Sequence, residues 1–121
     1  MQIGAEYDGD DFYCDVAIPH LAELDIVHED DRVIAFRHTK PRWELHLVVI
    51  PKRHIASLTR ASATDQADIR AILEVAQSLA LGVEEERGAE AVVTNLGSYQ
   101  DSKHLRVHIH AGPRREPTTP E

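Results

Sequence analysis

The segment from residue 104 to residue 110 alternates in a way that restricts it to one kind of structure. Polar side chains stand at every second position, with an aliphatic side chain between each pair: His104, Arg106, His108 and His110 alternate with Leu105, Val107 and Ile109. Side chains two positions apart in a β-strand lie on the same face. The pattern therefore predicts a strand that buries one face in the core and lines a polar groove with the other.

Three imidazoles and one guanidinium on one strand face could together bind an anion or carry out catalysis. Imidazole titrates near neutral pH, so it can act as a nucleophile, a proton carrier or a hydrogen-bond donor to an anion such as phosphate. A solvated strand face and a metal site are the alternatives for the same row. We favour a functional groove, because these side chains converge within a single strand.

Length and charge narrow the class of protein. The 121 residues suit one domain. A formal net charge of -8 argues against binding of nucleic acid or of an anionic membrane, although a local basic groove can hold one small anion. Cys14 is the only cysteine, which excludes an internal disulfide, and the N-terminus lacks the basic and apolar parts of a signal peptide. We therefore expect a cytoplasmic protein without a membrane-spanning segment.

The order of strand and helix signals predicts the architecture. Strands are expected at residues 24–28, 32–37, 45–50 and 91–95, ahead of the histidine strand. A helix with an apolar stripe is expected to begin near Ser62 or Thr64 and to end at Gly88. The acidic start of the chain and its proline-containing end, from residue 112 onward, are typical of tails. These elements predict an α+β fold in which helices cover one face of an antiparallel sheet.

Several motifs, in this order along the chain, resemble the histidine triad family. They are residues 30–36, Pro41, the run from His46 to His54, and Asn95 with Gln100 ahead of the histidine strand. The resemblance covers residues 12–114, so that residues 1–11 and 115–121 are expected to be flexible tails. It implies a sheet of about five antiparallel strands, with one long and one or two short helices on one face.

The resemblance also implies an activity and a partner. Members of the family usually form homodimers and hold a small-molecule nucleotide in a pocket. There a histidine attacks the α-phosphate of a phosphoramidate or a dinucleotide, which releases an amine or a nucleotide. By this resemblance the chain is expected to be a nucleoside phosphoramidate or dinucleotide hydrolase, or a nucleotidyl transferase.

Two registers of the triad are open. In the family a glutamine sits four residues before the first triad histidine, so Gln100 makes the triad His104, Arg106 and His108. Arg106 then stands at the nucleophile position, where a permanently protonated guanidinium has no lone pair to attack phosphorus and can only bind phosphate. The alternative triad of Arg106, His108 and His110 makes His108 the nucleophile, but Ser102 then replaces the glutamine. We prefer the first register.

The resemblance assigns the remaining roles residue by residue. The candidate catalytic residues are His104, His108 and His110, and the candidate phosphate-binding residues are Asn95, Gln100 and Arg106. His38 falls where a family acid holds the ribose hydroxyls, which puts ordinary nucleotide recognition in question. Trp43 is a candidate to stack on a base, or else to close the edge of the core.

A structural zinc occurs in some branches of the family. The positions that match its ligands are Asp11, Cys14, His46 and His104. The paired cysteines that make such a signal strong are missing. We therefore expect that no cofactor is required, with zinc as an alternative; otherwise Cys14 is a small buried residue and His46 a hydrogen-bonded core residue.

Two hypotheses of function follow from the variant triad. The first is a hydrolase that uses His108 or His104 as nucleophile, with Asn95, Gln100 and Arg106 stabilising the charged transition state. The second is a catalytically silent nucleotide- or phosphate-binding protein in which Arg106 supplies affinity. Metal-dependent chemistry at the histidine row ranks last.

Overall fold

The alternation of the histidine segment does correspond to a strand, from Val107 onward. A computed structural model describes residues 23–100 and 102–115 of the chain. The strands are β1 (Ile26–Glu29), β2 (Val33–Arg37), β3 (Trp43–Pro51), β4 (Ala91–Val93) and β5 (Val107–Arg114), and the long helix is α1 (Gln66–Arg87). Short 3₁₀ turns occupy Leu58–Arg60, Ala63–Asp65 and Gly97–Tyr99. All strand pairs are antiparallel, in the order β1-β2-β3-β5-β4, which confirms the predicted five-stranded α+β fold.

The two faces of the sheet have different neighbours because side chains alternate along β3 and β5. On one face, Leu47 and Val49 of β3 and Ile109 of β5 pack in a cluster with Ile72 and Ala76 of α1. The opposite face carries a second apolar cluster, which consists of Ile34, Phe36, Val48 and Ile50. His46 precedes and Val48 follows Leu47, so His46 lies on the face away from the helix.

Local sequence signals define both ends of α1. Ahead of the helix, the backbone N–H of Ser62 donates to the carboxylate of Asp65 at 2.8 Å, as expected of a capping residue. The 3₁₀ turn Ala63–Asp65 separates Ser62 from the helix, so the helix begins at Gln66 rather than at Ser62 or Thr64. It ends at Arg87, and Gly88 follows as the cap that the sequence predicted, with a φ of 85° that suits the left-handed cap of a helix. Neither α1 nor any other helix in the described ranges is long and apolar enough to cross a membrane.

The boundaries of the last two strands differ from the prediction. The backbone N–H of Leu105 donates to the carbonyl of Ile55 at 2.6 Å, so the chain enters the sheet only at Val107. Strand β5 then continues through Gly112 to Arg114, which pairs with Trp43. The expectation of a tail from residue 112 onward is therefore wrong for residues 112–114, because Trp43 extends β3 and supplies a partner.

An ion-pair cluster joins the sheet to the start of α1. Both oxygens of Asp68 accept hydrogen bonds at 2.9 Å, one from Arg32 ahead of β2 and one from Arg53 after β3. Arg53 also contacts Asp65 at 2.6 Å. The side chain of Asp68 is only 8% exposed, so its charge depends on these partners.

We expect Asp68→Asn to lower the free energy of unfolding by about 1–3 kcal/mol, because the charge that both arginines contact is lost at a buried position. Urea denaturation at pH 7 measures this. The matched control is Glu74→Gln, which breaks the exposed pair between Arg70 and Glu74 on the same helix and should change stability by less than about 0.5 kcal/mol. Equal effects of the two substitutions would contradict the role assigned to Asp68.

Candidate functional site

A cavity of about 350 Å³ opens on the side of the sheet that faces away from α1. Its walls come from β3, β5, the connection between β2 and β3, and the end of β4. The lining residues are His38, Arg42, Trp43, His46, Val93, Asn95, Arg106, His108 and His110. Two arginines and four histidines are in this set, and no carboxylate is among the described residues that line it.

The structure brings most of the sequence-predicted residues together. Arg106, His108 and His110 all line the cavity, because they alternate along one face of the strand and the residues leading into it. Asn95, His38 and Trp43, which come from three other parts of the chain, also lie in its wall. The polar groove that the alternation predicts is thus present from residue 106 onward.

His104 and Gln100 lie elsewhere. His104 is fully buried, and its Nε2–H donates to the carbonyl oxygen of Pro51 at 2.9 Å. The side-chain amide of Gln100 donates to the carbonyl oxygen of Ala56 at 2.9 Å. The expectation that His104 shares a groove with the other three is therefore wrong, because the backbone of Leu105 bonds to the loop at Ile55 and residues 104–106 lie ahead of strand β5.

Three imidazoles from different elements form a close cluster in the cavity wall. The rings of His38 and His46 stack with centroids 4.4 Å apart. The Nε2 of His46 lies 2.9 Å from the Nδ1 of His108, and the rings of His38 and His108 are 5.8 Å apart. This cluster joins the connection after β2 to the two central strands.

Backbone donors fix the position of the proton on each ring. The backbone N–H of Arg42 donates to the Nδ1 of His46 at 3.1 Å, so the proton of neutral His46 is on Nε2. That Nε2–H donates to the Nδ1 of His108, so the proton of His108 is also on Nε2. The backbone N–H of Lys40 likewise donates to the Nδ1 of His38 at 2.9 Å. All three imidazoles therefore carry their proton on Nε2.

The site keeps these rings uncharged at neutral pH. Burial, together with the neighbouring imidazoles and the charges of Arg106 and Arg42, lowers the pKa of His38 to about 3. Burial also lowers the pKa of His46 to about 4 and that of His108 to about 3, with Arg106 contributing in both cases. Burial lowers the pKa of His110 in the same direction. A neutral tautomer with one donor and one acceptor is therefore the working form of each ring.

The tautomers leave the cavity rich in hydrogen-bond donors. The Nε2–H of His108 is buried and has no hydrogen-bond partner among the described residues. A buried donor without a partner is costly, so a ligand atom that accepts its hydrogen bond gains free energy. Arg106, only 7% exposed, lines the same cavity and carries a permanent positive charge. The arrangement suits a ligand with acceptor oxygens and negative charge.

Trp43 lies at the rim of the cavity in a stack of its own. Its ring is 3.6 Å from that of His110, and the two planes differ by only 9°. The guanidinium carbon of Arg114 lies 5.6 Å from the indole centroid. A base that stacks on Trp43 has to use whatever area these two neighbours leave open, so the role predicted for Trp43 is restricted by its contacts.

The two predicted zinc ligands that the structure describes, His46 and His104, both use ring nitrogens in hydrogen bonds within the protein. Asp11 and Cys14 lie outside the described residues. His46 accepts a backbone hydrogen bond at Nδ1 and donates through Nε2, whereas a metal-bound histidine donates through the nitrogen that does not hold the metal. His46 therefore has no lone pair left for zinc, and the Nε2 of His104 is occupied by Pro51.

The cluster of His38, His46 and His108 meets the same objection. One ring nitrogen of each lies within 4.8 Å of the others, which is a spacing that a metal ion can use. Two of the rings, however, accept a backbone N–H at Nδ1 and carry their proton on Nε2. Arg42 and Arg106 add positive charge to the same wall. These residues favour an anion over a cation.

Sequence reasoning did not single out Arg42 as a site residue, although two of its groups contribute to this arrangement. Its side chain lines the cavity and its backbone N–H orients His46. Arginine ahead of a strand is common, and a backbone donor leaves no mark in a side-chain pattern. Val93, at the end of β4, was missed for a similar reason, since it becomes part of the wall only through its pairing with His108.

Comparisons with known proteins agree with the fold and with the motifs. Residues 11–118 match a family model described as "Scavenger mRNA decapping enzyme C-term binding". An uncharacterized HIT-like protein of Synechococcus elongatus is 36% identical over 89 residues, which cover 73% of this chain and 78% of the relative. The chain belongs to the histidine triad (HIT) family.

Two solved structures show the same similarity in three dimensions. A HIT family hydrolase from Legionella pneumophila aligns with a TM-score of 0.73 and 28% identity, over 85% of this chain and 93% of its own. A hypothetical histidine triad nucleotide-binding protein from Sulfolobus tokodaii aligns with a TM-score of 0.71 and 26% identity, over 83% and 67% of the two chains. The fold of the family is therefore shared over most of the chain.

The neutral imidazoles predict how stability depends on pH. An exposed histidine in the unfolded chain has a pKa near 6.5, whereas burial lowers the pKa of His38 to about 3 in the folded state. Below pH 6.5 the unfolded state therefore binds protons that the folded state does not. Stability should be complete above pH 6.5 and should fall between pH 6.5 and pH 4, by up to about 1.4 kcal/mol per pH unit for each such histidine.

Chemical denaturation of the native protein and of His38→Gln, at steps from pH 8 to pH 5, measures this. The variant should show a shallower slope below pH 6.5, because one of the titrating rings is gone. At pH 8 the comparison isolates any effect of the substitution on packing alone. Stability that stays level from pH 6.5 to pH 5 in the native protein would contradict the lowered pKa values.

Proposed function

We propose that this histidine triad protein binds the phosphate group of a nucleotide in the cavity and does not form a nucleotidyl-histidine. The observation that supports this most is the unpartnered Nε2–H of buried His108, in the same cavity as Arg106. Both groups are donors, and both suit a phosphate oxygen. The name of the Sulfolobus tokodaii relative, a nucleotide-binding protein, supports the choice of ligand.

Arg106 supports binding rather than attack. In the register set by Gln100, Arg106 occupies the position of the family nucleophile. Its guanidinium stays protonated at any working pH and has no lone pair for phosphorus. Its charge and its planar set of N–H groups instead match the oxygens of a phosphate.

The tautomer of His108 argues against the other register, in which His108 attacks. For attack from Nε2, the proton of His108 has to move to Nδ1, where it faces the Nε2–H of His46. His46 then has to move its own proton to Nδ1, where it faces the backbone N–H of Arg42. A backbone amide has no second tautomer, so the reversal ends in two donors facing each other at a half-buried position.

A hydrolase acting through His110 is the second candidate. His110 lines the cavity, belongs to the alternative register and is less buried than His108. Similarity to the Legionella pneumophila hydrolase over most of both chains favours this reading. Against it, the ring of His110 is stacked on Trp43, and a productive attack has to start from that position.

Binding and turnover of two ligands test the proposal. In isothermal titration calorimetry, adenosine 5′-monophosphate should bind the native protein, and Arg106→Ala should weaken binding by about 10- to 100-fold because a charge-assisted contact is lost. Arg70→Ala removes an equal charge from the exposed face of α1 and should leave affinity unchanged. A fluorogenic adenosine phosphoramidate should show no turnover by the native protein.

Each alternative predicts a different result in the same assay. Turnover by the native protein that is lost in His110→Ala would establish the second candidate. Turnover lost only in His108→Ala would mean that the proton order derived above is wrong. If no nucleotide binds, both the phosphate-binding function and the hydrolase acting through His110 are ruled out.

We further propose that the protein forms the homodimer implied by its family, through the edge of the sheet at β4. In the described part of the chain, β4 pairs only with β5, and its residues Val92 and Val93 are exposed. Exposed apolar residues on an edge strand favour pairing with a second copy. Val92→Glu should shift the protein to monomer in sedimentation velocity, whereas Leu81→Glu, at an exposed apolar position of α1, should not.

A further inference from the structure

We infer that a contact outside the cavity positions the wall that contains Trp43, and that it thereby sets the affinity of the site. The contact joins Glu44 of β3 to Gly112 of β5 and to Arg87 at the end of α1. None of these three residues is part of the cavity lining. The orientation of Trp43 is independent of what binds, whereas its effect on affinity rests on the proposed function.

The alternation of side chains along β3 changes at Glu44. Leu45 and Leu47 both pack in the cluster under α1. In a regular strand Trp43 would lie on that same face, because side chains two positions apart share a face. Trp43 instead lines the cavity together with His46. Some feature near Glu44 therefore turns the start of the strand over.

A bulge in β5 lies at the place where β3 turns. Trp43 pairs with Arg114, and Leu45 pairs with Ala111. Two steps along β3 thus correspond to three steps along β5, which means that β5 carries one extra residue. A bulge of this kind increases the local twist and redirects side chains. Gly112 lies in it with a φ of 81°, in the left-handed region that favours glycine.

Glycine at residue 112 leaves room for the side chain of Glu44. A Cβ at this position would lie 2.9 Å from Oε1 of Glu44 and 3.0 Å from its Cβ. It would also lie 3.4 Å from a guanidinium nitrogen of Arg87. That nitrogen donates to the same Oε1 of Glu44. Any side chain larger than that of glycine therefore displaces Glu44 and its ion pair.

The ion pair acts on orientation more than on stability. The side chains of Arg87 and Glu44 are 31% and 55% exposed, so their attraction contributes little free energy. It does hold Glu44 toward the end of α1, and α1 lies across the sheet from the cavity. With Glu44 held on that side, its neighbour Trp43 faces the cavity.

Two groups of the site depend on this segment. The ring of Trp43 stacks on that of His110 at 3.6 Å, which makes the stack part of the wall. The residue before it, Arg42, supplies the backbone N–H that orients His46. A displaced Glu44 should shift both neighbours, and the site should then hold a ligand less well.

Nuclear magnetic resonance of the full chain tests the orientation of Trp43. The chain has a single tryptophan, so its indole N–H gives one resonance in a proton–nitrogen correlation spectrum. Gly112→Ala should shift this resonance, because the indole moves relative to the ring of His110. Gly97→Ala is the matched control: Gly97 also has a positive φ, of 60°, but a Cβ there meets nothing within 4 Å. This control should leave the resonance in place.

A second variant breaks the ion pair without adding an atom to the bulge. Arg87→Ala should shift the indole resonance in the same direction as Gly112→Ala, and by less. Its control is Arg70→Ala, which removes an equal charge and an ion pair with Glu74 from the same helix. That control should leave the resonance unchanged. Circular dichroism verifies that each variant is folded.

Calorimetry with adenosine 5′-monophosphate then tests the effect on the site. Gly112→Ala should weaken binding by about tenfold, and Arg87→Ala by about threefold, although neither residue touches the ligand. Arg70→Ala should bind as the native protein does. Weakened binding in both variants, together with the shifted resonance, supports the inference, because loss of stability alone leaves the affinity of the folded protein unchanged.

The remaining outcomes separate this inference from the proposed function. An indole resonance that stays in place in Gly112→Ala and in Arg87→Ala would overturn the inference, and so would an equal shift in Gly97→Ala. Shifted resonances with native affinity would also overturn it and would leave the proposed function standing. If the native protein does not bind the nucleotide, the proposed function fails, and the resonances alone decide whether the contact orients Trp43.

Discussion

The hydrogen bond from the backbone N–H of Arg42 to the Nδ1 of His46 determines the chemistry of this site. A side-chain donor can rotate or change its protonation, but a backbone amide can only donate. Because this amide donates to Nδ1 of His46, the proton of His46 is on Nε2. His46 then donates to Nδ1 of His108, so the proton of His108 is also on Nε2, and that nitrogen is a donor. With the protons on the opposite nitrogens, His108 would offer the cavity an acceptor instead of a donor.

The sheet makes this arrangement possible because its two faces do different work. Leu47 and Val49, on one face of β3, pack under α1. His46, which precedes Leu47 in the same strand, points the other way and lines the cavity. Burial of the imidazoles opposes their protonation, and the arginines beside them act in the same direction. The cavity thus keeps its positive charge in guanidinium groups, which do not titrate, and keeps the rings of His38, His46 and His108 as neutral donors.

Much of the fold could be predicted from local patterns. The alternation that marks a strand, and the capped apolar stripe that marks a helix, each depend on residues close together in the sequence. The same local rule placed Arg106, His108 and His110 together. It failed for His104, whose position depends on the contact of Leu105 with Ile55, about fifty residues away in the chain. Family motifs singled out His38 and His46 but not their part in one cluster. The role of the Arg42 backbone was beyond the reach of side-chain patterns altogether.

The position of Trp43 has an optical consequence. It is the only tryptophan in the chain, and its ring lies in the cavity wall, stacked on His110 at 3.6 Å. Indole emission responds to the polarity around the ring and to the charge of a contacting imidazole. Unlike a protein whose emission averages over several indoles, this chain carries a single indole in the wall of its cavity, so its tryptophan emission reports on that wall alone.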